Sequence, residues 1–147
     1  MENSKAVVST AERATVARAV CKWLSGCEYI PASRVEFEFL GETGVTVSVI
    51  QAAYKNREYI DGSYQAVFSF YVIYRDRPST ADNRLSMDET LNGVAEWCES
   101  SCPELDGNMT AQRVECSNSP AMSARYDDGT EDHQISLNLY YEVITNG

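Results

Sequence analysis

The chain has 147 residues, with 12 Lys plus Arg against 22 Asp plus Glu and a formal net charge of −10. That length suits one domain spanning 1–147 with a single core, and the charge argues against a protein that grips nucleic acid through a basic face. No stretch approaches the roughly 20 apolar residues that span a bilayer, and the first residues contain no signal-peptide core. We therefore expect a soluble, intracellular protein with no membrane partner.

The first element in chain order is a predicted helix that begins at Thr10. Apolar residues recur along it at spacings of three and four, which places them on one side of a helix. They are Val16, Ala19, Val20, Trp23, Leu24 and Cys27. Thr10 can cap the start of this helix, and Gly26 and Pro31 end it.

Two strands are predicted after this helix. Residues 35–39 alternate apolar with acidic side chains, so Glu36 and Glu38 share the face opposite the apolar ones. Residues 45–49 alternate Val with Thr or Ser, and the β-branched content favours a strand that runs toward Tyr54.

The third and longest predicted strand spans residues 64–74 and follows a hairpin turn at Asp61-Gly62. Both of its faces are apolar, whereas a face that meets solvent is normally polar. The second face carries Val67, Ser69, Tyr71 and Ile73. We expect another surface to cover it.

A second amphipathic helix follows and ends before Pro103. Its apolar stripe consists of Met87, Leu91, Val94 and Cys98. Ser86 and Glu89 form a possible capping box, so the helix starts at either Ala81 or Met87.

Two more strands close the chain, a weak one at residues 111–116 and a cleanly alternating one at 135–143. Residues 1–9, 118–132 and 145–147 are weakly patterned, and we expect them to be mobile. The resulting order is α-β-β-β-α-β-β. It predicts an α+β fold: a two-layer sandwich with a mostly antiparallel sheet of about five strands and both helices on one face.

The sequence contains little that indicates catalysis or metal binding. The sole histidine, His133, could form a Cys–His site with a strand cysteine such as Cys116, but a partly exposed loop histidine is the commoner case. The five cysteines lack zinc-ligand spacing, no glycine motif for phosphate binding occurs, and the acidic turns lack the EF-hand pattern. We predict no catalytic residue, no cofactor and no metal site.

Five short motifs occur in a characteristic order. They are Tyr59-Ile60-Asp61-Gly62-Ser63, Ala95-Glu96-Trp97, Pro103-Glu104-Leu105, Arg113-Val114-Glu115 and the closing segment from His133 to Glu142. In this order they resemble the tail terminator family of long-tailed bacteriophages of Gram-positive hosts, also called minor capsid or tail-completion proteins. The resemblance covers about the last ninety residues, and residues 118–122 depart from it.

The resemblance implies a structural protein, not an enzyme, located in the virion and, during assembly, in the host cytoplasm. Members form a ring, a hexamer, at the head-proximal end of the tail. The ring ends polymerisation of the tail tube and joins the tail to the head connector. The implied partners are other copies of the chain, the tail tube protein and a head-completion protein, while DNA passes through without specific binding.

A ring around DNA would favour an acidic channel, because an acidic wall repels phosphates. The channel-facing candidates are Asp127, Asp128, Glu131 and Asp132, with Glu36, Glu38, Asp61 and Asp76 as further candidates. Head-to-tail contacts between subunits would cover the second apolar face of the sheet, and tyrosine is enriched at such contacts. The interface candidates are Val67, Tyr71, Ile73 and Tyr140.

Two alternatives remain open at this point. The protein could be a head-completion adaptor of the phage neck instead of the last ring of the tail. Less favoured is a small-ligand-binding or enzymatic α+β domain with a cleft lined by Trp23, Trp97 and Phe70. Both tryptophans are expected instead to pack on the sheet, because large aromatic side chains dominate core burial.

Overall fold

A computed structural model of the protein describes residues 7–30, 35–37, 44–49 and 53–145. The elements in chain order are α1 (Thr10–Leu24), β1 (Glu36–Phe37), β2 (Gly44–Val49), β3 (Tyr54–Glu58), β4 (Tyr64–Asp76), α2 (Ala81–Glu99), β5 (Met109–Cys116), β6 (Ala121–Arg125) and β7 (Glu131–Val143). The predicted α+β sandwich, with two helices against one sheet, is confirmed. Neither α1 nor α2 is long and apolar enough to cross a membrane.

The sheet is built around the long central strands β4 and β7. Its main path runs β1-β2-β4-β7-β5, with β3 beside β4 and β6 beside β7. β1 and β2 are parallel and every other described pair is antiparallel. β4 and β7 pair without a break from Tyr64 opposite Val143 to Asp76 opposite Glu131. This unbroken register decides which side chains share a face.

Side chains of alternate residues in β4 and β7 point toward the helices and form the core. Opposed pairs such as Phe68 with Leu139 and Phe70 with Leu137 are fully buried there. The helices contribute buried side chains from one side each, namely Val16, Ala17, Val20 and Leu24 of α1 and Met87, Leu91, Val94, Ala95 and Cys98 of α2.

Aromatic and polar side chains connect the two helices with each other and with the sheet. Trp23 and Trp97 contact each other across the helices, with ring centroids 5.0 Å apart, and both pack against the core. The expectation that they pack structurally is therefore confirmed. Tyr141 donates a hydrogen bond of 2.7 Å to Glu12 of α1, and Tyr64 donates to the same carboxylate, which anchors the start of α1 on the two central strands.

The structure determines the residue at which each helix begins. α1 is capped by Ser9, whose hydroxyl accepts from the Glu12 N–H at 3.1 Å, so the prediction that Thr10 is the cap is wrong by one residue. Thr80 caps α2 by accepting from Asn83. That cap selects the earlier of the two predicted starts.

Two short strands, β3 and β6, were not predicted. β3 is mostly polar, β6 consists mainly of small residues, and neither has an alternating pattern. Each is held by pairing along one edge of a long strand, β3 along β4 and β6 along β7. Residues 118–132, which we expect to be mobile, contain β6 and a hydrogen-bonded turn in which Tyr126 N–H donates to the Thr130 carbonyl oxygen. Their mobility stays a prediction.

Candidate functional site

The face of the sheet opposite the helices is the first candidate surface. On β4 and β7 it combines tyrosine and isoleucine with small polar residues. Ser69 donates a hydrogen bond of 2.6 Å to Asn138 across the two strands. At the adjacent β5, the Arg113 guanidinium lies 3.9 Å from the centre of the Tyr140 ring, a distance at which the cation is attracted to the ring face. The face is thus an ordered, amphipathic surface.

The structure places all four predicted interface residues on this face. Val67 is directly opposite Tyr140 in the β4–β7 pairing, and Tyr71 and Ile73 follow at alternate positions of β4. Tyr71, Ile73 and Tyr140 are half-buried, whereas Val67 is almost fully buried within the single chain, with only 3% of it exposed. A partner on this face would therefore meet mainly the three larger side chains.

The four acidic residues proposed for the channel fall into two groups. Asp127 and Asp128 are exposed in the turn between β6 and β7. Asp128 accepts from the Thr130 N–H at 2.9 Å and from Arg77 at 2.7 Å. These hydrogen bonds lower the pKa of Asp128 to about 2, so its carboxylate stays charged at neutral pH.

The other two, Glu131 and Asp132, are buried and paired with cations inside the chain. Asp132 receives two hydrogen bonds from Arg75, of 2.6 and 2.9 Å, and a third from Tyr126 at 2.8 Å. Burial alone would raise the pKa of Asp132, but these donors outweigh it and the pKa is lowered. Neither residue presents a free carboxylate, and their proposed role in a channel stays a prediction.

Glu131 is the centre of a charged cluster between β7 and α2, formed with Arg84, Asp88, Arg125 and His133. Arg84 Nε contacts both Glu131 carboxylate oxygens at 2.9 Å, and Arg125 Nε contacts one at 3.0 Å. The hydrogen bonds from Arg84 are the main reason that the pKa of Glu131 is lowered to about 2. Only 1% of Glu131 is exposed.

His133 lies in β7 between two carboxylates of this cluster and is only 1% exposed, so its interpretation as a partly exposed loop histidine is wrong. Its Nδ1 is 2.6 Å from Asp88 and its Nε2 is 2.9 Å from Glu131. Both ring nitrogens of His133 therefore have a carboxylate oxygen within hydrogen-bond distance.

The disfavoured alternative, a pairing of His133 with Cys116, does not occur. The Cys116 thiol instead donates to the Asn118 carbonyl oxygen at 3.1 Å, and burial raises its pKa, which disfavours the reactive thiolate. The geometry therefore gives no thiolate–imidazole pair at this position.

The remaining acidic candidates are scattered. Asp61 is exposed in the β3–β4 hairpin and accepts from the Ser63 N–H at 2.9 Å, while Asp76 is half-buried and accepts from Tyr74 at 3.2 Å. Glu36 belongs to β1, and Glu38 lies outside the described residues.

The sequence contained a signal for the charged cluster that the predictions missed. Glu131 and His133 lie in phase with the buried alternation of Ile135 and Leu137 on β7, so they must face the helices. Arg84 and Asp88 likewise lie near the buried stripe of α2. Charged side chains in phase with a core stripe indicate a buried ionic network.

The chain also contains an open cleft of about 530 Å³ between α1 and residues 102–106. It is lined by Thr15, Arg18, Ala19, Lys22, Trp23, Cys102, Glu104 and Asp106. Phe70 lies fully buried beneath the helices and not in this cleft. No group of three or more metal-ligating side chains occurs among the described residues.

Comparison with known proteins leaves the family undecided. No family model matches the chain, and no curated protein matches it. One solved structure is 16% identical, with 92% of this chain and 95% of that one covered and a TM-score of 0.43. At that identity and TM-score the similarity carries no argument about function.

Proposed function

We propose that this protein is a structural subunit of a bacteriophage virion. Copies form a ring, a hexamer by family resemblance, at the head-proximal end of the tail, where the ring ends polymerisation of the tail tube and joins the tail to the head connector. The resemblance of the motif order suggests the role. The observation that carries it is that both helices lie on one face of the sheet, which leaves the other face for a partner.

The chemistry of that face supports a protein partner. Tyr71, Ile73 and Tyr140 form its apolar part, and polar neighbours such as Ser69 and Asn138 satisfy each other. Aromatic anchors among satisfied polar groups are typical of protein–protein contacts. The acidic turn at Asp127 and Asp128 supports a position near DNA, because it would repel phosphates.

Assembly with tail tubes tests the proposed function. We expect the purified protein to bind the ends of tubes assembled from tail tube protein, as seen by electron microscopy and by a mass increase in light scattering. Tyr71→Asp should abolish this binding while leaving the circular dichroism spectrum unchanged. Tyr29→Asp is the matched control, because Tyr29 is 48% exposed and lies next to α2, on the helix layer. A folded protein that never binds tubes would contradict the proposal.

The channel role of the acidic turn has a separate test. Asp127→Lys/Asp128→Lys should slow DNA ejection while tail length and head joining stay normal, because lysines in a ring would bind phosphates cooperatively. Glu131 and Asp132 are left unchanged, since reversing a buried, paired carboxylate would damage the fold. Normal ejection by the variant particles would show that this turn does not line the channel.

A further inference from the structure

The two helices of this acidic protein carry opposite charge. α1 contains Arg13, Arg18 and Lys22, and its one acidic residue, Glu12, is hydrogen-bonded to Tyr64 and Tyr141. α2 contains five acidic residues and one basic residue, Arg84, which is paired with Glu131. The exposed carboxylates of α2 are Asp82, Glu89, Glu96 and Glu99. One helix is therefore basic at its surface and the other acidic.

A groove of about 390 Å³ runs along one flank of α1. Its lining residues are Thr10, Arg13, Ala14, Ala17, Arg18 and Cys21. The small side chains give it an apolar floor, and the two arginines give it positive charge. It is suited to an apolar side chain that has carboxylates on either side.

α2 presents such a side chain at Leu85. Leu85 is 60% exposed, which is unusual for leucine on an amphipathic helix. Asp82 precedes it by three residues and Glu89 follows it by four, so all three side chains lie on one side of the helix. Leu85 is thus an apolar projection between two carboxylates.

The spacing of the charges is compatible along the two helices. At about 1.5 Å of rise per residue, Arg13 and Arg18 are separated by about 7.5 Å along α1, and Asp82 and Glu89 by about 10.5 Å along α2. Long arginine side chains span a difference of this size. Both charges can therefore pair while Leu85 occupies the groove.

The groove and the projection lie on different sides of the molecule. α1 and α2 contact each other through Trp23 and Trp97. With about 100° per residue, Ala14 lies about 180° around α1 from Trp23, and Leu85 lies about 120° around α2 from Trp97. A chain cannot fill its own groove with its own Leu85, but a neighbouring copy can.

We infer that copies of this chain associate head to tail, with Leu85 of one copy in the α1 groove of the next and Asp82 and Glu89 paired with Arg13 and Arg18. Two different complementary patches on one chain generate a ring when the rotation closes. The inference deepens the proposed function and rests on it for closure into a ring. It places the lateral contact between copies on the helices, in place of the open face of the sheet that the sequence predicts as the subunit interface, and leaves that face to the tail tube.

Charge reversal tests this contact by sedimentation velocity at low and moderate salt, with and without tail tubes. Arg13→Glu/Arg18→Glu and Asp82→Lys/Glu89→Lys should each abolish self-association, because like charges then face each other. An equimolar mixture of the two variants should restore it, since every contact between unlike copies is again complementary. Lys55→Glu/Arg57→Glu on β3 is the matched control and should associate like wild type.

Leu85→Ala supplies a second test that does not change charge. Its exposure makes a folding defect unexpected, and loss of the side chain from the groove should weaken self-association by about tenfold. If the charge-reversal variants and Leu85→Ala all self-associate as well as the wild-type protein, this contact is overturned. The proposed ring would then have to use another contact. Wild-type protein that remains a monomer in solution, and that does not associate with itself when tail tubes are present, would overturn both the contact and the proposed ring.

Discussion

The helix-facing side of the β4–β7 pair has two regions that are equally buried and chemically opposite. In the middle, Phe68, Phe70, Leu137 and Leu139 are completely buried and entirely apolar. At one end, Glu131 and His133 are also only 1% exposed, yet both are polar and hydrogen-bonded to each other. The helix-facing side of this strand pair therefore buries apolar side chains along most of its length and the charged cluster at one end.

The difference lies in how strictly each region specifies the structure. An apolar core tolerates many packings as long as its volume is filled. The charged end is satisfied in one arrangement only, because Glu131 needs Arg84 and Arg125 while His133 needs Asp88. We expect the apolar middle to supply most of the stability, and the charged end to fix the position of the first half of α2 and the β6–β7 hairpin.

The largest expected effect is in the apolar middle. Phe70→Ala should lower the free energy of unfolding by about 3–5 kcal/mol, because it removes a fully buried ring and leaves a cavity. Urea denaturation with an unchanged m-value measures this loss. Tyr71→Ala, one residue along on the half-buried opposite face, is the control and should cost less than half as much. Equal losses would contradict the assigned faces.

The charged end should give a smaller loss. Glu131→Gln should cost about 2 kcal/mol, because the neutral amide that replaces the buried carboxylate no longer gives Arg84 and Arg125 a charged acceptor. The loss stays below that of Phe70→Ala because Arg84 and Arg125 are partly exposed and water can solvate them. Urea denaturation, with amide hydrogen exchange of α2 as a local probe, should detect both the loss and faster exchange near Arg84.

Asp128→Asn provides the control for the role of burial. Asp128 and Arg77 form an ion pair in which both side chains are more than half exposed, and such pairs contribute little to stability. No measurable change in the urea midpoint is expected. A loss as large as that of Glu131→Gln would mean that burial does not distinguish the two pairs.

A dependence on acid pH is also expected from the charged end. The pKa of Glu131 is about 2 in the folded chain and 4.5 as its ordinary value, so the folded state favours the charged form. Its contribution is complete above pH 4.5 and is lost as the pH falls from 4.5 toward 2. Urea midpoints measured across that range should fall less steeply for Glu131→Gln than for wild type. Parallel curves would show that Glu131 does not contribute.

The alternating pattern was sufficient to predict the long strands and the helices. Residues 64–74 and 135–143 have the two-residue repeat of a strand, and the apolar stripes of both helices repeat every three and four residues. In each case, burial of one face determines the type of element. β3 and β6 have no such pattern. They form because their backbone groups hydrogen-bond to unpaired groups along the edges of β4 and β7. These edges exist only once the sheet has formed, so the sequence pattern does not show them.

The sequence by itself therefore determined the α+β class, the order of the long elements and the shared face of Val67, Tyr71 and Ile73 along β4, because each follows from local periodicity. The pairing of β4 with β7 decided that Tyr140 joins this face. Only the tertiary structure decided that Glu131 and Asp132 are buried against arginines while Asp127 and Asp128 remain exposed. These partners are up to 57 residues apart in the chain. Local sequence fixes which way a side chain points along its own element, but packing of distant elements decides what it meets there.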